Sequence, residues 1–219
     1  MGNKKKSVVK LTTTAALLAI TIVLQHFASL FYVPATGTSP ALSLIPIAVG
    51  AIIYGPSCGA ILGLGWSVFI LVSGQANFYL GMNAVGAVVV VIAKGTLAGT
   101  LTGVVFKGLA KKNKIAAIVV ASIVTPIVNS LVYRLGLVTF FQDYFLGNAS
   151  KDGMHPVAYF LYAFITGGFF LEVGISALFS PVTVRLCNLC FNRLGINDDN
   201  NNINIETDDS LQNEDGLEK

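Results

Sequence analysis

The sequence predicts an all-α membrane protein in which six transmembrane helices form one bundle and both termini face the cytoplasm. Three observations carry that prediction. Of 219 residues, 54% are hydrophobic and only 11% charged, whereas a water-soluble domain carries about 25% charge. The apolar residues gather into runs of roughly the 17–25 residues that a helix needs to cross a hydrocarbon layer of ~30 Å. The basic residues cluster beside those runs and on alternate connections, which is a topology signal.

Residues 1–10 are a basic segment with Lys4, Lys5, Lys6 and Lys10. The segment looks like the n-region of a signal peptide. The apolar run after it exceeds twenty residues and has no small-x-small cleavage site, so it is expected to remain as a first helix, 11–33. Lys6 stands where a myristoylation pattern needs Ser or Thr. The next apolar block, 41–73, is too long for one helix, and Tyr54-Gly55-Pro56 inside it is a helix-breaking turn signal. It therefore reads as a short helix to Tyr54, a tight turn and a second helix. The first of these is too short for a straight crossing, so it is expected to be partly re-entrant or shielded by neighbours. Further spans are expected at 82–106, 115–138 and 157–186.

Charge decides whether the 41–73 block crosses once or twice. With six spans, Lys107, Lys111, Lys112, Lys114, Arg185 and Arg193 share a side with the N-terminal lysines, leaving Lys151 outside and Arg134 near the outer end of its helix. Five spans would divide these clusters between the two sides, against the positive-inside rule. The outer connections are then 34–40, 74–81 and 139–156. The chain divides into a cytoplasmic N-terminus, 1–10, a six-helix domain, 11–193, and an acidic tail, 194–219. Eight of the eleven Asp and Glu lie from Asp198 onward, and the Asn- and Asp-rich tail is expected to be disordered in the cytoplasm.

Before the tail, thirteen Lys and Arg face only Asp143, Asp152 and Glu172. The cations flank apolar spans and form no soluble stripe with interleaved aromatics, which argues against nucleic acid and for a cell-membrane, multi-pass protein in lipid. Cys58, Cys187 and Cys190 make no disulfide framework, and the CxxC at 187–190 has no second pair to complete a metal site. No metal and no cofactor is expected. Asn148-Ala149-Ser150 fits a glycosylation pattern and is read as a chance match.

Ionisable side chains inside a membrane cost about 2.5–3.5 kcal/mol each on insertion scales, so the two deep ones, Lys94 and Glu172, are candidates for function. Asn83 and Lys94 lie about three helical turns apart on one face with Ala87 and Val90 between them, and small Ala87 would leave room for a cavity. On the next helix Pro126, Asn129 and Tyr133 follow helical spacing, with Arg134 alongside. Tyr159, Tyr162 and Thr166 open the last span. Asn83, Lys94, Asn129, Tyr133, Arg134, Tyr162 and Glu172 are thus the candidate substrate-binding residues, suited to a small polar organic ligand that carries a carboxylate. The same residues have plainer uses: Lys94 and Glu172 can pair to lock two helices, Arg134 can snorkel to the interface, and the tyrosines can form an interfacial belt.

Small residues four apart recur at Ala15 and Ala19, at Gly55, Gly59 and Gly63, and at Gly95, Gly99 and Gly103. Such stripes let helices approach closely in lipid, within the chain or against a partner subunit. There is no Walker A sequence, no HExxH and no Ser-His-Asp set, so the chain is expected to be a transport protein without enzyme activity. Its energy would come from an ion gradient or another protein.

The block from Leu44 to Leu64, with its apolar-Gly55-Pro56-Ser57-Cys58-Gly59 turn, resembles the second and third helices of the S components of energy-coupling-factor (ECF) transporters. Ala15-x-x-x-Ala19 is similar to the alanine motif of their first helix, and Lys94-Gly95-Thr96-Leu97-Ala98-Gly99 also has the look of the family. The resemblance covers about residues 8–193. It implies capture of a water-soluble vitamin or related micronutrient from outside, with Ala15 and Ala19 docking on a transmembrane coupling subunit driven by two cytoplasmic ATPases. Metal-carrying members rely on His-rich N-terminal ligands, which Met1-Gly2-Asn3 lacks. The alternative from the residues alone is a standalone proton-coupled secondary transporter using Lys94 and Glu172, although the inverted repeat many such proteins show is not evident.

Overall fold

The computed structural model describes residues 3–30, 42–166 and 169–194, and every regular element among them is helical. In chain order these are α1 (Asn3–Leu30), α2 (Leu44–Tyr54), α3 (Pro56–Val72), α4 (Asn77–Met82), α5 (Ala84–Ala110), α6 (Lys114–Phe140), α7 (Gln142–Lys151), α8 (Pro156–Thr166) and α9 (Phe169–Leu194). The expected connection 34–40 and the tail from 195 onward lie outside the described residues.

Four helices are long and apolar enough to cross a membrane, over Ser7–Leu30, Ala84–Ala110, Lys114–Phe140 and Glu172–Asn192. α2 and α3 are shorter apolar helices of 11 and 17 residues. At 1.5 Å per residue they span about 16 and 26 Å, less than the ~30 Å layer. The span expected at 157–186 is described as two helices, α8 and α9, on either side of residues 167 and 168.

The short α2 is the centre of the bundle. It touches α1, α3, α5, α6 and α9, and nine of its eleven residues are buried. A helix that is apolar all round is suited to a protein core or to lipid, and here five neighbouring helices cover it. Leu44 and Ile47 pack with Cys58, Leu62, Trp66 and Ile70 of α3. Val49, Ile52 and Ile53 pack with Phe106, Ile118, Cys187 and Phe191. The chain reverses between α2 and α3 at Gly55, whose φ of 88° favours glycine, and Pro56 opens α3. Proline at that position loses no hydrogen bond, because the first amides of a helix have no intrahelical acceptor.

α3 and α5 meet backbone to backbone. A Cβ added to Gly59 would land on the Gly99 carbonyl, one on Gly63 would land on the Gly95 carbonyl, and one on Gly103 would strike Pro56. The two glycine stripes thus serve packing within the chain. Ser67 Oγ lies 2.8 Å from both Gly63 O and Val91 O and adds a polar tie to the seam. The hydroxyls of Thr102 and Thr125, 2.8 Å apart, join α5 to α6.

Two of the expected connections contain helices that hydrophobic periodicity did not reveal, α4, which overlaps 74–81, and α7 within 139–156. The bundle's exterior is apolar: Leu11, Val72, Val85, Val157, Phe170 and Leu178 are all more than half exposed. Such a surface belongs in lipid.

Candidate functional site

α6 organises the polar interior. Asn129 and Tyr133 lie one turn apart on it, as do Ser130 and Arg134, so a turn and a half of one helix presents four polar side chains on two adjoining faces. Asn129, Ser130 and Arg134 are each 6% exposed. Polar groups buried this deeply need partners, since lipid supplies none.

The face carrying Tyr133 meets Lys94. That lysine sits about 15 Å along α5 from Ala84, and its Nζ lies 5.1 Å from the ring centroid of Trp66 and 5.5 Å from that of Tyr133. The ammonium is held between two aromatic faces whose quadrupoles attract it. The Tyr133 hydroxyl is hydrogen-bonded to that of Tyr79, and the Tyr79 ring packs edge-on against Tyr133, Phe141 and Tyr144.

The face carrying Ser130 meets Glu172, which lies in the first turn of α9 and is 7% exposed. Ser130 Oγ donates to Glu172 Oε2 at 2.7 Å, and Asn129 adjoins the same carboxylate. Glu172 is within electrostatic reach of both Lys94 and Arg134. The direct Lys94–Glu172 lock that the sequence allowed is not formed: the ammonium rests on the two rings and the carboxylate on Ser130. Asn129 Oδ1 is buried without a hydrogen-bond partner.

Arg134 continues this face into a cleft, which it lines with Tyr144, Phe145, Asn148, Tyr159 and Phe160. α7 supplies one wall and α8 another. Asn148, the residue of the glycosylation pattern, thus belongs to the cleft.

Among the predicted site residues, the structure brings together Lys94, Asn129, Tyr133, Arg134 and Glu172. Tyr162 adjoins them through Tyr159, and Asn83 has a separate structural role. Asn83 is the N-cap of α5: its Oδ1 accepts from Gly86 N at 2.9 Å and its Nδ2 donates to Phe140 O at 3.3 Å. The cavity expected beside Ala87 is filled, since Ala87 and Val90 pack with Phe141 against Tyr79 and Tyr133. Tyr162 is 43% exposed, with its ring tilted against Tyr159. Ala15 and Ala19 lie exposed on α1.

Sequence reasoning passed over Trp66, Tyr79, Ser130 and a second polar cluster around Gln25. Gln25 Oε1 accepts from Ser43 Oγ at 2.7 Å and from Trp66 Nε1 at 2.9 Å, and its Nε2 donates to Gln75 Oε1 at 2.7 Å. The available signal was an uncharged amide in the middle of an apolar helix, which needs partners as surely as a charge does. Among the described residues no group of His, Cys, Asp and Glu is placed to hold a metal ion.

A family model for the substrate-specific component of ECF transporters matches residues 9–183. Neither the curated proteins nor the solved structures contain a significant match to the chain. The match runs from α1 into α9 and takes in the aromatic-bounded lysine, the buried carboxylate and the exposed alanine face. The chain belongs to the ECF transporter substrate-specific components, and so is a membrane transport subunit that binds substrate and works with an ECF module's coupling and ATPase subunits.

Proposed function

We propose that the chain captures a water-soluble vitamin or related micronutrient from the extracellular side and delivers it to an ATP-driven ECF module by docking through α1. The observation that carries this reading is the constellation of buried Asn129, Arg134 and Glu172 with the half-buried Lys94 beside them, which reaches a cleft through Arg134. Small-ligand sites combine aromatic walls with a few placed polar groups. Buried charge in a membrane bundle is costly and is retained for function.

Six crossings with both termini cytoplasmic accommodate the helices. α2 makes its crossing inside a sheath of neighbours, α8 and α9 together make the last, and the basic clusters fall on one side. The cleft then faces outward, with α7 and α8 as its walls. The docking face is the exposed side of α1, where Ala15 and Ala19 leave a flat strip between Leu11, Ile20 and Val23. The glycine stripes of α3 and α5 are consumed internally, which leaves this strip for close approach by another membrane helix.

The test replaces Ala15 or Ala19 with Phe. Each variant is expected to bind ligand as the native chain does while losing uptake in cells that carry the ECF module. Equal loss of binding and uptake would remove the docking role. Uptake into liposomes by this chain alone, driven by a pH gradient, would remove the ECF-dependent reading altogether.

A further inference from the structure

The charge of the ligand follows from the bundle's own interior, given that the cluster around Lys94 is the capture site. Three ionisable groups lie together there: Lys94 on α5, Arg134 on α6 and Glu172 on α9. Counted by formal charge, one carboxylate serves two cations, which leaves the cluster one positive charge in excess. Among the described residues no other acid is buried beside them. Asp143 and Asp152 are exposed on α7 and at its end. Residues 31–41 and 167–168, which fall outside the description, contain no acidic or basic residue.

Lys94 is where the excess resides. An ammonium has three N–H donors, and the contacts this one makes are with the faces of Trp66 and Tyr133. Ring faces attract a cation but offer no lone pair, so its donors remain available. Glu172 is engaged by Ser130. Nearby, Asn129 Oδ1 presents the reverse deficit, a buried acceptor without a donor. A group that removed both deficits at once would pair a negative oxygen with Lys94 and an N–H or O–H with Asn129.

We infer that the captured ligand is a small organic acid of one net negative charge, whose carboxylate pairs with Lys94 and whose N–H or O–H donor meets Asn129 Oδ1. A neutral ligand would leave the positive charge buried, and a cation would double it, each at a desolvation cost. A monoanion brings the occupied interior to neutrality.

The experiment uses the full chain purified in mild detergent. Any co-purified small molecule is identified by mass spectrometry after denaturation. Binding is then measured for acids and their neutral counterparts of the same skeleton: nicotinate and nicotinamide, pantothenate and panthenol, biotin and biotinamide, together with the co-purified compound and its carboxamide. Thiamine serves as a cationic probe and riboflavin as a neutral one. The expected result is an acid that binds at least about tenfold tighter than its neutral counterpart, with the difference erased in Lys94→Gln. A smaller preference, or a neutral or cationic compound as the bound species, overturns the inference and leaves substrate capture standing. No bound species and no response to any probe overturns both. The acid-to-neutral comparison is made on the native chain, so it decides the matter even where Lys94→Gln does not fold.

Discussion

A primary amide offers one carbonyl oxygen with two lone pairs and one NH2, and Gln25 uses both ends inside the membrane. Its oxygen receives Ser43 at the start of α2 and Trp66 of α3, and its nitrogen reaches Gln75 in the connection to α4. Trp66 in turn lies under Lys94, so a neutral side chain on α1 helps fix the ring that holds the site's cation. Replacing Gln25 by Leu would strand the Trp66 indole N–H and the Ser43 hydroxyl in a buried setting. Each stranded group costs about 1–3 kcal/mol, partly relieved because membrane hydrogen bonds average only ~0.6 kcal/mol when measured in pairs. Thermal unfolding in detergent is expected to show a lower midpoint for Gln25→Leu, by an amount matching about 2 kcal/mol, and weaker ligand binding through the loosened Trp66. An unchanged midpoint would show that Gln25 contributes no more than its packing. Lys94 and Glu172 were legible in the sequence because charge in lipid is conspicuous. Gln25 and Trp66 were not, because the cost of an unsatisfied amide or indole shows only once burial and partners are known. Asn83 was legible in a different sense: an Asn immediately before Ala84 is a helix N-cap signal, and its side chain carries out that capping.

Helices α3 and α5 illustrate how a pattern acquires its meaning from its partner. Glycines four apart announce close approach but not the surface approached, and the structure pairs Gly59 with Gly99 and Gly63 with Gly95. Gly99→Val is therefore expected to destabilise the protein at the upper end of about 1–3 kcal/mol, because the added atoms meet a backbone carbonyl that cannot swing aside. Gly108→Ala, where nothing lies within 4 Å, is the control and is expected to cost nothing. Elution from gel filtration and the thermal midpoint report both, and equal behaviour of the two variants would refute the seam. The turn between α2 and α3 was readable because Gly55-Pro56 carries its conformational instruction locally. The central place of α2 was readable only in part: its shortness hinted at shielding, while contact with five neighbouring helices depends on the whole bundle. α4 and α7 were missed because helices of 6 and 10 residues that mix polar and apolar positions lack a long apolar period.

For the molecule as a whole, the orientation of the cleft is the property most open to direct measurement. Lys112 lies in the connection between α5 and α6, and Lys151 ends α7. Cysteines placed there by Lys112→Cys and Lys151→Cys are expected to react with a membrane-impermeant maleimide from opposite sides in intact cells, Lys151→Cys without lysis and Lys112→Cys only after it. Labelling of both from the same side would overturn the arrangement in which α7 and the Arg134 cleft face outward. The glycine seam between α3 and α5 has a kinetic consequence. Contacts made of side chains can exchange rotamers as helices slide, whereas a carbonyl pressed against an α-carbon has no alternative state to visit, so that pair of helices must move as one rigid body. Entry and exit of cargo are then expected to be timed by the helices around this keel. Residence times should respond to substitutions on α1 and α8, and should be indifferent to conservative changes on the lipid-facing side of α3.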